Sequence, residues 1–242
     1  MSDIQTIAFF GASTGVGLAA LKHTLLSGDR GIALCRESSK LSAIFPDEPN
    51  LTIVEGNAHD VEAVSRCLQR EDGHLVDAVI TTIGAKPVMN GISLTLDDPQ
   101  VCQKGMKTLI EALNRLRSNG VSGSPYIVAC SGLGMSRFGR NYPLALLPLY
   151  GYLLNVPTAD KRAMEDLLVA SKETFTIVRP SVLVDGVTTK RVRVGLEDPE
   201  TGPIYKAIGY TISREDSGRW IAQNLVLRRD TVFYNKVVSI TN

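Results

Sequence analysis

Three histidines, four cysteines and one tryptophan are all that 242 residues contain, and each scarcity closes off a kind of chemistry. His23, His59 and His74 stand at no metal-ligand spacing from one another or from the cysteines, so no metal site is expected. Cys35, Cys67, Cys102 and Cys130 form no C-x-x-C pair. Cys35 and Cys130 lie in apolar runs and read as reduced, buried thiols. Excess charge of one sign is missing too. The net charge of +1 offers no surface to nucleic acid or to an anionic membrane. The longest apolar stretch, Leu144 to Leu154, is broken by Pro148 and Gly151 and is too short to span a bilayer. The first strand begins within a few residues of Met1, which leaves no room for a signal or transit peptide and predicts a cytoplasmic protein.

What is present is the composition of a globular protein, with 44% hydrophobic and 21% charged residues. The length suits one α/β domain, residues 1–242. Apolar runs at Ile4–Phe10, Gly31–Cys35, Leu51–Glu55, Ala78–Thr82, Tyr126–Cys130 and Thr174–Val178 predict strands. Most are continuous rather than alternating, as in a parallel sheet covered on both faces. Helical periodicity separates them near Gly15–Leu26, Val61–Arg70, Pro99–Arg117 and Ala159–Ala170. The predicted fold is a Rossmann-like, doubly wound parallel sheet.

After Pro180 the pattern changes. Lys190–Leu196 alternates like an exposed strand, and Ser213-Arg214-Glu215-Asp216 can cap a helix running through Trp220 and Leu225. Val232–Ile240 reads as a last strand. Residues 181–242 are too few for a domain of their own. They are expected to cover the carboxyl ends of the sheet, where open α/β sheets bind ligands, and to supply the substrate side.

The most informative stretch is Gly11-Ala12-Ser13-Thr14-Gly15-Val16-Gly17, placed between the run Ile7-Ala8-Phe9-Phe10 and a helix. Glycines in such a turn let a pyrophosphate approach the backbone and meet free N–H groups at the positive end of a helix. No Gly-Lys-Ser/Thr follows, so this is not a P-loop. The G-x-x-x-G-x-G spacing resembles the glycine-rich turn of the short-chain dehydrogenase/reductase superfamily, with Phe10 where Thr is usual.

The cofactor can be narrowed further. NAD-selective folds usually place Asp or Glu after the second strand, about twenty residues beyond the glycines. Here the chain has Arg36, followed by Glu37, Ser38, Ser39 and Lys40. A guanidinium suits the 2′-phosphate of NADP(H), which a carboxylate would repel, and the serines and Lys40 could add donors. The alternative is a solvated arginine balanced by Glu37. Later turns, Asn57-Ala58 after the third strand and Ile83-Gly84-Ala85 after the fourth, match the positions that flank adenine and its ribose in the superfamily. The amide of Asn57 could bond an adenine edge, and Gly84 permits close backbone approach.

The resemblance covers most of the chain. Leu167-Leu168-Val169-Ala170-Ser171, Phe175-Thr176-Ile177-Val178-Arg179-Pro180 and Ile212-Ser213-Arg214-Glu215-Asp216 are similar to atypical short-chain dehydrogenases/reductases, with their NmrA-like and flavin-reductase-like (biliverdin reductase B-like) members. The resemblance extends the cofactor-contacting set to Pro180, Ser181 and Val182. It also implies catalytic roles for Ser131, after the fifth strand, and for Lys161, eighteen residues before Arg179. Both would also touch the cofactor, with Lys161 holding the nicotinamide ribose; by spacing Glu165, one turn on, could partner Lys161, and the alternative is a surface Lys–Glu pair away from the site.

One part is missing. The superfamily's proton-transferring tyrosine stands four residues before the lysine, and here that position is Pro157. Tyr150 and Tyr152 are near in sequence but off the lysine's helical stack, and either would have to swing in to replace it. The segment Pro143–Leu154 reads either as a packed or subunit-contact segment, which would make a homodimer, or as an apolar wall over the nicotinamide. Three functions follow. The leading one is NADPH-dependent reduction of a small hydrophobic acceptor, most similar to flavin-reductase-like members that lack the tyrosine. The others are a non-redox isomerase or cyclase retaining NADP(H), and an NmrA-like redox-sensing regulator.

Overall fold

Successive side chains along each central strand point to opposite faces of the sheet and divide the core in two. The computed structural model describes residues 4–85, 87–90, 93–148, 155–188 and 190–242. In chain order the elements are β1 (Thr6–Phe10), α1 (Gly15–Leu26), β2 (Arg30–Cys35), α2 (Ser38–Ser42), β3 (Leu51–Glu55), α3 (Val61–Leu68) and β4 (Ala78–Thr81). A hairpin of β5 (Pro87–Asn90) and β6 (Ser93–Leu96) follows, then α4 (Val101–Ser118), β7 (Tyr126–Cys130), α5 (Asn155–Ala170), β8 (Phe175–Pro180) and β9 (Val182–Val184). The chain closes with β10 (Arg193–Asp198), β11 (Gly202–Tyr205), β12 (Thr211–Ser213), α6 (Arg214–Ile221) and β13 (Lys236–Thr241).

The main sheet runs β11-β10-β13-β8-β7-β4-β1-β2-β3. Its seven strands from β13 to β3 are parallel, and β10 and β11 add an antiparallel edge. Ile7 and Phe9 of β1 point to one face, into a core with Val16, Ala20 and Leu21 of α1 and Ile221 of α6. Ala8 and Phe10 point to the other, with Val64 of α3, Met106 of α4 and Leu168 of α5. Helices therefore cover both faces. That explains why β1, β4, β7 and β8 are buried throughout and read as unbroken apolar runs. The fold is the expected Rossmann-like α/β sheet.

The order reverses at β1. The chain builds β2 and β3 on one side and then crosses to β4 on the other. Ligands bind outside the carboxyl ends of the strands at such a switch point.

Several bounds differ from the sequence reading. α5 starts at Asn155 rather than near Ala159, with Pro157 in its first turn, where a missing N–H costs no helical bond. β8 runs on to Pro180. The exposed strand expected from Lys190 is β10, from Arg193. The helix after Ser213 forms as expected, with Ser213 Oγ accepting from Asp216 N at 2.9 Å, and continues as a π-helical turn, Ala222–Leu227. The last strand starts at Lys236, after a 3-10 turn at Thr231–Phe233. Beyond β8 the chain pairs β9 with β12 in a small parallel sheet, and β13 then returns beside β8.

Candidate active site

Gly11 leaves β1 with φ +91, a conformation that disfavours any side chain. Thr82, just past β4, closes on it. Its N–H donates to Phe10 O at 2.8 Å and its hydroxyl donates to Gly11 O at 3.0 Å. The first turn of α1 lies against the same pair of groups. A Cβ on Gly17 would stand 2.5 Å from Gly11 O and would collide with Thr82 Oγ1. The turn is therefore a cradle with no room for a side chain at 11 or 17. No side chain caps α1 at Thr14, so its first-turn N–H groups are available to an anion.

At the end of β2, Arg36 is exposed and, among the described residues, makes no ion pair. Glu37, the expected counter-charge, pairs with Lys40 at 2.8 Å. Ser38 is engaged as well: its N–H and hydroxyl donate to Glu55 at 3.1 and 2.5 Å, which holds that carboxyl below its ordinary range. Ser38 and Lys40, expected as further donors beside Arg36, are thus engaged with Glu55 and Glu37 in this structure. Asn57 accepts from His59 N at 3.1 Å with its carbonyl oxygen, which leaves its NH₂ without a hydrogen bond among the described residues and able to donate. Ala58 packs at the start of α3, and Ile83 accepts from the Cys102 thiol at 3.3 Å. Gly84 faces open space, and Ala85 is half-buried beside it.

The end of β7 brings Ser131 and Lys161 together. Lys161 Nζ donates to the carbonyls of Cys130 and Ser131, both at 3.2 Å. Ser131 is 5% exposed, and its hydroxyl has no hydrogen-bond partner in the described structure. A buried hydroxyl left unpaired costs free energy, so a bound group that completes it is favoured there. Burial pushes the Cys130 thiol up and the Cys102 thiol to about 12, which keeps both neutral. Asp160 fixes the helix that carries Lys161. It is 5% exposed and accepts from Cys102 N and Gln103 N, each at 2.9 Å, capping α4 from a neighbouring helix.

Other expectations change. Glu165 does not pair with Lys161. It grips Arg179 through two bonds, 3.0 and 2.6 Å, and Arg179 reaches Glu197 at 2.9 Å. Pro180 ends β8, and Ser181 is tied to β13, its N–H donating to Ile240 O at 3.0 Å and its hydroxyl bonding Thr241 at 3.0 Å. Val182 N donates to Tyr210 O at 3.1 Å. Tyr150, Tyr152 and the rest of 149–154 lie outside the described residues; Leu144 and Leu147, just before, are exposed. A cleft of about 320 Å³ runs along α5 past Phe138, Arg162 and Arg179, but neither the glycine turn nor Ser131 lines it.

The sequence reading did not single out Thr82, Asp160 or Arg214. Thr82 was within reach, as the first residue past a predicted strand beside the glycine turn. Nothing in the spacing of Asp160 or Arg214 links them to the groups they meet.

Glycine cradle, exposed cation and Ser131–Lys161 pair lie at the carboxyl ends of β1, β2 and β7, parallel strands of one sheet, and the cradle and the unpaired hydroxyl fit a dinucleotide. Comparison with known proteins agrees. Residues 11–226 match the family described as NAD(P)H-binding. A reductase of Aspergillus terreus, pytE, is 37% identical over 266 residues covering 99% of each chain. An oxidase of Aspergillus niger, pynE, is 31% identical over 280 residues covering 98% of each. Among solved structures, a short-chain dehydrogenase/reductase of Veillonella parvula in complex with NADP superposes with a TM-score of 0.74 at 16% identity, covering 99% of this chain and 95% of that one. The anaerobillin reductase ChuY of Escherichia coli superposes at 0.67 with 18% identity, covering 97% and 96%. No described helix is long and apolar enough to cross a membrane. The chain belongs to the NAD(P)H-binding family and is an oxidoreductase, and it shares its Rossmann-like fold with a solved short-chain dehydrogenase/reductase.

Proposed function

We propose that this oxidoreductase uses NADPH in preference to NADH and reduces a small, hydrophobic acceptor without a tyrosine acid. Arg36, unpaired at the end of β2, is the observation that carries the cofactor preference, because a 2′-phosphate would give it the partner it lacks. The glycine turn, with Ser13 and Thr14, seats the pyrophosphate. Asn57, Ala58, Ile83, Gly84 and Ala85 border the adenine half, and Pro180 and Val182 border the nicotinamide end. The nicotinamide supplies hydride when bound, and the protein positions it.

Lys161 bridges two strand-end carbonyls and presents its remaining donor capacity to the nicotinamide ribose. Ser131 offers a buried hydroxyl that orients the acceptor. At the tyrosine's position the helix carries Pro157, which has no proton to give, so the product's proton comes from water. Residues 181–242 supply the substrate side of one domain. The 31% identity to a protein named as an oxidase supports a second direction, hydride removal from substrate to NADP⁺.

The test has two arms. In titrations, Arg36→Ala is expected to cost about 1.5–3 kcal/mol in NADPH binding and to leave NADH nearly unchanged. Equal loss of both would make Arg36 structural. In a screen of NADPH oxidation against flavins, quinones and carbonyls, Ser131→Ala is expected to slow turnover about tenfold, short of the roughly hundredfold or larger loss of a positioned acid. If Tyr150→Phe or Tyr152→Phe abolishes turnover while NADPH still binds, a displaced tyrosine is the acid and the proposal is wrong.

A further inference from the structure

Arg214 opens α6, about two hundred residues from the glycine turn, yet it reaches that turn. The approach depends on Gly218, where a Cβ would stand 2.5 Å from Val16 O and 2.5 Å from Ala19 Cβ, so α6 packs directly onto α1. One turn earlier, the Arg214 stem crosses the first residue of α1. Its Cδ lies 3.4 Å and its Nε 3.9 Å from the place a Cβ on Gly15 would take. His23 of α1 holds the next residue, Glu215, at 2.7 Å, which pins this end of α6 to α1.

The guanidinium ends on Asp185, with Nη1 donating to Oδ1 at 2.8 Å. The Asp185 side chain is 92% exposed, and so solvated an ion pair adds little stability. A cation therefore stands beside the uncapped, positive end of α1 with a partner it can give up at small cost. The stem is anchored over Gly15 and the charged head is free to turn.

We propose that Arg214 binds the pyrophosphate of the nicotinamide dinucleotide, releasing Asp185 as it does so. The inference rests on the dinucleotide reading above and adds a residue to it. Arg36 would read the phosphate that distinguishes NADPH from NADH, and Arg214 the diphosphate that both share. The C-terminal segment would then grip the cofactor directly.

Those roles predict different patterns in a titration. Arg214→Met keeps the stem over Gly15 and removes the charge. It is expected to weaken NADPH, NADH and ADP-ribose by the same factor, about tenfold or more as for a lost charge-assisted bond, while the melting temperature without nucleotide stays that of the wild type. Arg214→Lys should recover part of the affinity, and more at low salt. Asp185→Asn, which frees the guanidinium, should bind at least as tightly as wild type. Wild-type affinity in Arg214→Met overturns the proposal, as does an equal loss in Asp185→Asn, which would make the pair a strut. A wild-type protein that binds no nucleotide would sink the dinucleotide reading itself, an outcome distinct from either.

Discussion

Lys161 and Glu165 sit one turn apart on α5, and their spacing suggests an ion pair that the fold does not make. Lys161 turns to the carbonyls at the end of β7, whereas Glu165 accepts two bonds from Arg179 of β8. A guanidinium fork matches a carboxylate in a way an ammonium cannot, and burial makes the match matter more. That leaves the Lys161 charge to the site. Lys161→Met is expected to lower cofactor affinity about tenfold, comparable to one hydrogen bond to a charged group, without a new pH dependence. Unchanged affinity in a titration would take Lys161 out of the site. Ser131 was legible as a residue ending a strand, but its unpaired hydroxyl was not, because satisfaction depends on every neighbour within bonding distance.

Among the elements, the β1 turn and α1 are the most constrained. The glycine pattern announced them, and the structure gives the reason in Thr82, which fills the space a side chain at 17 would need. Gly17→Ala is expected to destabilise the protein by about 1–3 kcal/mol, as overpacking does, and to abolish the rise in melting temperature on adding NADPH. A variant that melts like the wild type and still responds to NADPH would show that the cradle yields. Strand and helix existence followed from periodicity, while their ends shifted by a few residues, since caps and tertiary bonds set ends. The β5–β6 hairpin went unread, because strands of four residues each carry too short a pattern to stand out.

At the scale of the whole molecule, Arg179 joins three parts of the chain: α5 through Glu165, its own strand β8, and the antiparallel strand β10 through Glu197. All three side chains are nearly closed to solvent. Arg179→Met would strand two buried carboxylates and is expected to cost about 3–5 kcal/mol, read as a lowered denaturation midpoint. A loss below about 1 kcal/mol would mean that water reaches the trio, as in an exposed pair. The sequence by itself determined the sheet-and-helix alternation, the glycine turn, the cation after β2 and the absence of tyrosine at 157. Each of these is a local pattern or the identity of one residue, carried by neighbours a few positions apart. Only the tertiary structure decided that Thr82 locks the turn, that Asp160 caps a foreign helix, that Glu165 prefers Arg179 and that Arg214 lies over Gly15. Those contacts join residues between 14 and 199 positions apart, beyond any helical or strand period, so no spacing rule encodes them, and they exist only once the fold has brought these elements together.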